Sequence, residues 1–287
     1  MPARSASATD KLAQLHDRLS AEVETLVGSE QWRRFLEVAG RFHRYSANNV
    51  LLILAQAPEA TRVAGYWRWQ SLGRQVRRGE AGIAILAPCV RRARAGEDHD
   101  DADGPEAERV VRGFRVTHVW DVAQTDGEPL AEVRPVLLAG QAPPALWEAL
   151  AGHVAAAGFA LRRGECGGAN GRTDYRTRTV TVRPDVDDAQ ATKTLAHELA
   201  HVWLHDPADG GFHRGVAEVE AESVAYVVCR AAGLASDDYS LAYVARWAAG
   251  DVALVRAAAE RVVATARRAL VGVVAHDDDA GIMAGGR

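Results

Sequence analysis

The residues best suited to chemistry are the run His197-Glu198-Leu199-Ala200-His201. On a helix, positions i and i+4 lie about 40° apart, so both imidazoles can grip one ion while Glu198 sits beside a water on it. Leu195, Leu199, Val202 and Trp203 give that helix an apolar side with which to bury itself. Zinc is the expected cofactor. A catalytic zinc takes a third protein ligand and keeps a fourth position open. An extension of the HxxGxxH kind is excluded, because Leu204 and Pro207 occupy the positions that matter.

Downstream, Ala217-Glu218-Val219-Glu220-Ala221-Glu222-Ser223-Val224-Ala225 opens a second helix rich in carboxylates. If Ala221, Val224, Ala225 and Val228 mark its buried stripe, Glu218 lies nearest the centre of that stripe by 100° steps, with Glu222 one turn further on a shared face. Glu220 points to the other flank. Glu218 is therefore expected as the third ligand and Glu222 as the acceptor for a ligand imidazole N–H. Glu220 and Glu222 stay open as alternatives for the ligand itself, and His205, one turn after His201, competes with them.

These groups need elements to hold them, and the 287 residues are enough for about two domains with buried cores. A hydrophobic share of 48% with 25% charged residues excludes a disordered, collagen-like or disulfide-stapled chain. Cys89, Cys166 and Cys229 are far apart and form no CxxC pair, which fits a reducing cytoplasm. No secretory signal is visible at the N-terminus, and Val50 to Ala55, the longest apolar run, is far below the ~18 residues that span a bilayer. The expectation is a cytoplasmic protein with no membrane partner.

In the second half, the pattern predicts helices over 145–157, 188–206, 216–232 and 251–273 and a shorter one over 239–249, with strands over 159–162 and within 175–182. A Gly-rich loop over 164–171 separates those strands, and the tail 275–287 should be frayed. In the first half, Asp10 and Ser29 can cap helices running to about 27 and about 42, and Asn48 and Asn49 can cap a third. Strands are expected at 82–87 and 110–120, joined by a flexible acidic insertion over 93–109. Residues 141–144 resemble a linker.

The charge is uneven. Residues 31–95 carry twelve arginines against three acids, a local +9 within a chain whose net charge is −4. Between Arg62 and Arg94 eight arginines are interleaved with Tyr66, Trp67 and Trp69. That mixture suits single-stranded nucleic acid, with guanidinium groups on phosphates and rings stacked on unpaired bases. Arg62, Tyr66, Arg68, Arg74, Arg77 and Arg78 are the expected contacts, with Trp67 for stacking and Trp69 in the core.

Two resemblances join these readings. The run HELAHVWLHD with the later Glu218, Ala221 and Ala225 is similar to gluzincin-type metallopeptidases, and especially to ImmA/IrrE-type domains. That resemblance implies that Glu198 activates a water at the zinc for attack on a peptide carbonyl. It also implies an antiparallel edge strand holding the peptide, for which 177–182 stands in place. No side chain for oxyanion stabilisation is singled out by the sequence, and Tyr175, His213 and Tyr226 are more simply read as structural or surface residues. Tyr45-Ser46-Ala47-Asn48-Asn49, Val63-Ala64-Gly65-Tyr66, Leu72-Gly73-Arg74, Ile85-Leu86-Ala87-Pro88 and Trp120-Asp121-Val122-Ala123-Gln124-Thr125-Asp126-Gly127 resemble the N-terminal domain of ArdC-type antirestriction proteins. The family's order, a single-stranded DNA-binding domain followed by a zincin-like domain, is the order found here.

The expected fold is α+β in two domains. A disordered stretch over 1–9 precedes an ArdC-like domain over 10–140, and a zincin-like metallopeptidase domain over 141–274 precedes a flexible tail. The resemblance implies a plasmid- or phage-associated protein that shields incoming single-stranded DNA from restriction, with an unidentified protein substrate for its peptidase domain. The alternative is an ImmA-like regulatory metallopeptidase that cleaves a repressor, its first domain serving for protein docking.

Overall fold

The computed structural model describes residues 8–92, 109–129, 142–209, 214–234 and 251–273. The acidic insertion expected over 93–109 lies outside the described residues except for Arg109, which begins a strand, and so do the short helix expected at 239–249 and the tail 275–287. The fold is α+β. Helix α1 (Ala8–Thr25) starts inside the stretch 1–9 that was expected to lack order. Leu15, Leu19 and Val23 repeat at helical spacing and bury together, which carries the helix back past its acidic first turn.

Helix α2 (Ser29–Arg41) buries Trp32, Phe35, Leu36 and Ala39, and α3 (Ala47–Gln56) buries nearly its whole first two turns. The cap of α3 is Ser46, whose hydroxyl accepts from Asn49 N, rather than an asparagine. Asn49 instead faces strand β3 (Ile83–Arg92), donating from Nδ2 to Leu86 O and accepting from Leu86 N, both at 2.9 Å. Gln56, two turns on, does the same to Ala84, at 2.9 and 3.0 Å. β3 is an edge strand in a sheet ordered β1 (Val63–Ala64), β4 (Arg109–Asp121), β3. The two side-chain amides therefore close backbone groups that an edge leaves open.

Between β1 and β3, α4 (Tyr66–Ser71) sets Trp69 into a small core with Ala64 and Val76. β2 (Arg74–Val76) pairs antiparallel with β5 (Thr125–Gly127). The segment between β4 and β5 is a 3-10 turn capped by Asp121. Its Oδ1 accepts from Ala123 N while Oδ2 accepts from Thr61 N and Arg62 N at 2.8 and 2.9 Å.

In the second half, α5 (Pro144–Ala156) leads to a sheet ordered β6 (Ala160–Arg163), β8 (Thr179–Val182), β7 (Gly171–Asp174). β8 runs parallel to β6 and antiparallel to β7. The segment expected as the edge strand is thus central, with β6 and β7 at the two edges. Val180 and Val182 are fully buried, which sets one face of β8 on the core, while β7 starts at Gly171, the last residue of the expected loop.

Helices α6 (Asp188–Leu204), α7 (Arg214–Ala231) and α8 (Val252–Ala269) complete the fold. One continuous apolar core runs through both halves, from Leu15 and Trp32 to Val228 and Val262. At its centre α2 lies on α7: Trp32 Nε1 donates to Ser223 Oγ at 3.1 Å, and a Cβ on Gly40 would come within 2.8 Å of Arg230 Cβ.

Candidate metal centre

Asp187 caps α6 by accepting from Gln190 N at 2.7 Å, fixing the start of a helix that presents Lys193, His197 and His201 on successive turns. The Nε2 atoms of His197 and His201 face each other at 3.0 Å. From α7, Glu218 Oε2 reaches to 3.5 Å from His197 Nε2 and 3.8 Å from His201 Nε2. Two imidazoles and a carboxylate thus converge within 4.8 Å, a donor set that suits a divalent ion.

The surroundings hold those donors in place. His197 Nδ1 lies 3.3 Å from Glu222 Oε2, whose other oxygen pairs with Lys193 Nζ at 2.9 Å. Burial pulls the His197 imidazole down, but the Glu218 and Glu222 carboxylates outweigh it and leave the group raised to about 9. Hydrogen bonds from His197 and His201 hold the Glu218 carboxyl well below the usual carboxylate range. On Glu222, burial is outweighed by hydrogen bonds from His197 and Lys193, so its carboxyl also sits low.

Glu198 is 6% exposed and lines the same cleft, of about 1350 Å³. Its Oε2 accepts from Thr173 Oγ1 at 2.6 Å, and Gly171 lies so close that a Cβ there would stand 2.7 Å from Oε1. Thr173 and Gly171 on β7 were not found by sequence reasoning, because nothing in a Gly-rich stretch marks it as a strand facing the site.

His205, read as a competing ligand, has both ring nitrogens turned elsewhere: Nδ1 to His201 Nδ1 at 3.0 Å and Nε2 to Glu220 Oε2 at 3.0 Å. Glu220 sits on the other flank of α7 from the cleft and is buried there against Arg261, whose Nε donates to Oε1 at 2.8 Å. Tyr175 donates its hydroxyl to His201 O at 2.8 Å, which ties it to the helix backbone, and burial raises its phenol. Tyr226 is buried, and His213 lies outside the described residues.

The residues singled out for nucleic acid gather around α4 and the β2–β5 ribbon. Trp67 is 76% exposed, its ring edge-on to Tyr66 at 5.5 Å, and Arg78 is exposed. Tyr66, Arg77, Arg78 and Trp120 line a second cleft of about 670 Å³. Arg68 is half-buried, and Arg62 is half-buried with its backbone on Asp121. Arg74 turns its guanidinium onto Thr125, Gly127 and Glu128, and Arg77 pairs with Glu80 at 2.7 Å and Asp126 at 3.5 Å. Those two hold the ribbon together, which leaves Trp67 and Arg78 as the groups presented outward. Trp69 is fully buried, with Nε1 donating to Trp120 O at 2.9 Å.

Comparison with known proteins matches two separate stretches of the chain. Residues 9–120 match the family model for the N-terminal domain of anti-restriction factor ArdC, and residues 161–232 match the IrrE N-terminal-like domain of the peptidase M78 family. Among solved structures, the metal-free antirestriction ArdC protein from plasmid R388 is similar in fold. It shows 22% identity and a TM-score of 0.50 over 79% of this chain and 85% of that one. Its Mn(II)-bound structure shows 22% identity and a TM-score of 0.49 over 80% and 86%. An uncharacterized protein of Bacillus anthracis is 20% identical over 276 residues, 83% of this chain and 46% of that protein. The chain therefore spans about half the length of this curated relative. Among the described residues, no helix is long and apolar enough to cross a membrane.

Proposed function

We propose, on the premise that this chain joins an ArdC-type N-terminal domain to an IrrE-like domain, that it binds single-stranded DNA and carries a divalent-metal-dependent peptidase centre. Its biological task would be to protect incoming DNA of a plasmid or phage from restriction. The observation that carries the reading is the convergence of His197, His201 and Glu218 beside Glu198 in an open cleft.

His197, His201 and Glu218 would hold the ion, for which zinc is the first candidate given two imidazoles and one carboxylate. When bound, the ion supplies Lewis acidity to a water and to the scissile carbonyl. Glu198 takes the proton of the attacking water and returns it to the leaving amine. Thr173, donating to Oε2, fixes the plane of that carboxylate. The free side of β7 supplies backbone groups along which an extended peptide can pair.

The first half would contribute the DNA contact. Trp67 offers a face for an unpaired base, Tyr66 and Trp120 wall the cleft behind it, and Arg78 neutralises phosphate, with Arg62 and Arg68 flanking. The outward position of Trp67 favours this over a protein-docking role, because an exposed indole among arginines suits stacking on bases.

The test is Glu198→Gln. Hydrolysis of an unfolded protein such as casein should fall by at least about 100-fold, the contribution expected of a general base, with the ion still bound. Undiminished hydrolysis in that variant would refute the peptidase reading.

A further inference from the structure

Resting on the metal reading above, we propose that His205, Glu220 and Arg261 form a positioning relay that fixes the tautomer of the ligand His201. His201 directs Nε2 towards His197 and Glu218, so Nδ1 is its outer nitrogen. That atom lies 3.0 Å from His205 Nδ1, and His205 Nε2 lies 3.0 Å from Glu220 Oε2. Two ring nitrogens at this distance share one proton, so one donates and the other accepts.

Only one direction serves the ion. If His201 Nδ1–H donates to His205, then His201 Nε2 keeps its lone pair for the metal, and the His205 proton sits on Nε2, where it donates to the carboxylate. In the reverse direction His201 would carry its proton on Nε2, blocking the ligand position, and His205 would turn a lone pair towards a carboxylate oxygen. The Glu220 carboxylate, two hydrogen bonds away from the site, therefore sets which nitrogen of His201 is free.

The relay is built to hold its direction. His205 is 6% exposed and Glu220 is 2% exposed, so water offers little competition. Arg261, from α8, donates through Nε and Nη2 to Glu220 Oε1, which occupies that oxygen and leaves Oε2 for His205. The two ligand histidines thus have separate outer partners, His197 in Glu222 and His201 in this chain of His205 at the end of α6, Glu220 on α7 and Arg261 on α8.

The test measures Zn2+ affinity by chelator competition on the full chain, together with the His201 tautomer by long-range 1H–15N NMR. Glu220→Gln is nearly isosteric and does not touch the ion, yet it should weaken Zn2+ binding by about 10–100-fold, as loss of an outer partner does. His205→Phe should do the same, while His205→Gln, whose carbonyl can accept from His201 Nδ1–H, should recover most of the affinity. In the wild-type protein the His201 proton should appear on Nδ1. Wild-type affinity in folded Glu220→Gln, or a His201 proton on Nε2 in the wild type, would overturn the relay while leaving the metal reading intact. A wild-type protein that takes up no ion would overturn both. Should His205→Phe fail to fold, Glu220→Gln and His205→Gln still decide the matter.

Discussion

Gly171 carries no functional group, yet it borders the reacting carboxylate. A methyl there would stand 2.6 Å from Thr194 Cγ2 and 2.7 Å from Glu198 Oε1, so both contacts must be relieved. Thr194 and Glu198 are both buried on α6, so the relief must shift β7 against that helix and disturb the Thr173–Glu198 contact. Gly171→Ala should therefore lower turnover by about 100-fold, the effect of a misplacement on the order of 1 Å, and leave ion affinity unchanged. Steady-state rates and chelator competition measured side by side check this. At this scale the histidine pair, Glu198 and Glu218 were legible, because metal ligation at i and i+4 on a helix writes its own spacing. Thr173 and Gly171 gave no such signal, and His205 and Glu220 were legible only as rivals for the ligand position. Their roles depend on which helix or strand lies opposite, and that is set by packing between segments far apart in the chain.

Elements explain where the sequence pattern went astray. Asn49 was read as a helix cap, but in the folded chain it and Gln56 complete the open edge of β3. Asn49→Ala would strand a buried N–H and C=O of Leu86, at a cost of about 2 kcal/mol in urea unfolding. A second separation concerns the basic ribbon. Arg74→Ala should lower the unfolding midpoint, because its guanidinium bonds to three residues of the partner segment. Trp67→Ala with Arg78→Ala should leave that midpoint in place and weaken single-stranded oligonucleotide binding at least about 10-fold by anisotropy, since a stacked base contributes ~1–3 kcal/mol. Strand β4 was legible from its apolar run, but β3 was expected to stop at 87 and instead pairs on through Pro88 to Arg92, taking up the proline with a register shift between Pro88 and Val90. The edge and centre of the second sheet were not, because alternation within β8 says that one face is buried and nothing about which neighbour flanks it.

The whole molecule departs from a picture of two modules on a tether. α2 packs on the helix that carries Glu218 and Glu222, and Trp32 reaches Ser223, the residue next to Glu222. Two halves of different character were legible in the motifs, whereas this shared core was not, since apolar faces announce burial without naming a partner. The charge asymmetry is likewise a property of the whole: a basic segment of +9 sits in a chain of net −4, so DNA contact depends on local presentation rather than on bulk attraction. The central claim is that α6 and α7 hold one divalent ion beside Glu198, and titration of Zn2+ into the ion-free protein by calorimetry tests it most directly. One ion per chain in the wild type and in Glu198→Gln, with binding abolished or weakened at least about 100-fold in Glu218→Ala, is the predicted result. Absence of binding, or full binding in Glu218→Ala, would contradict it.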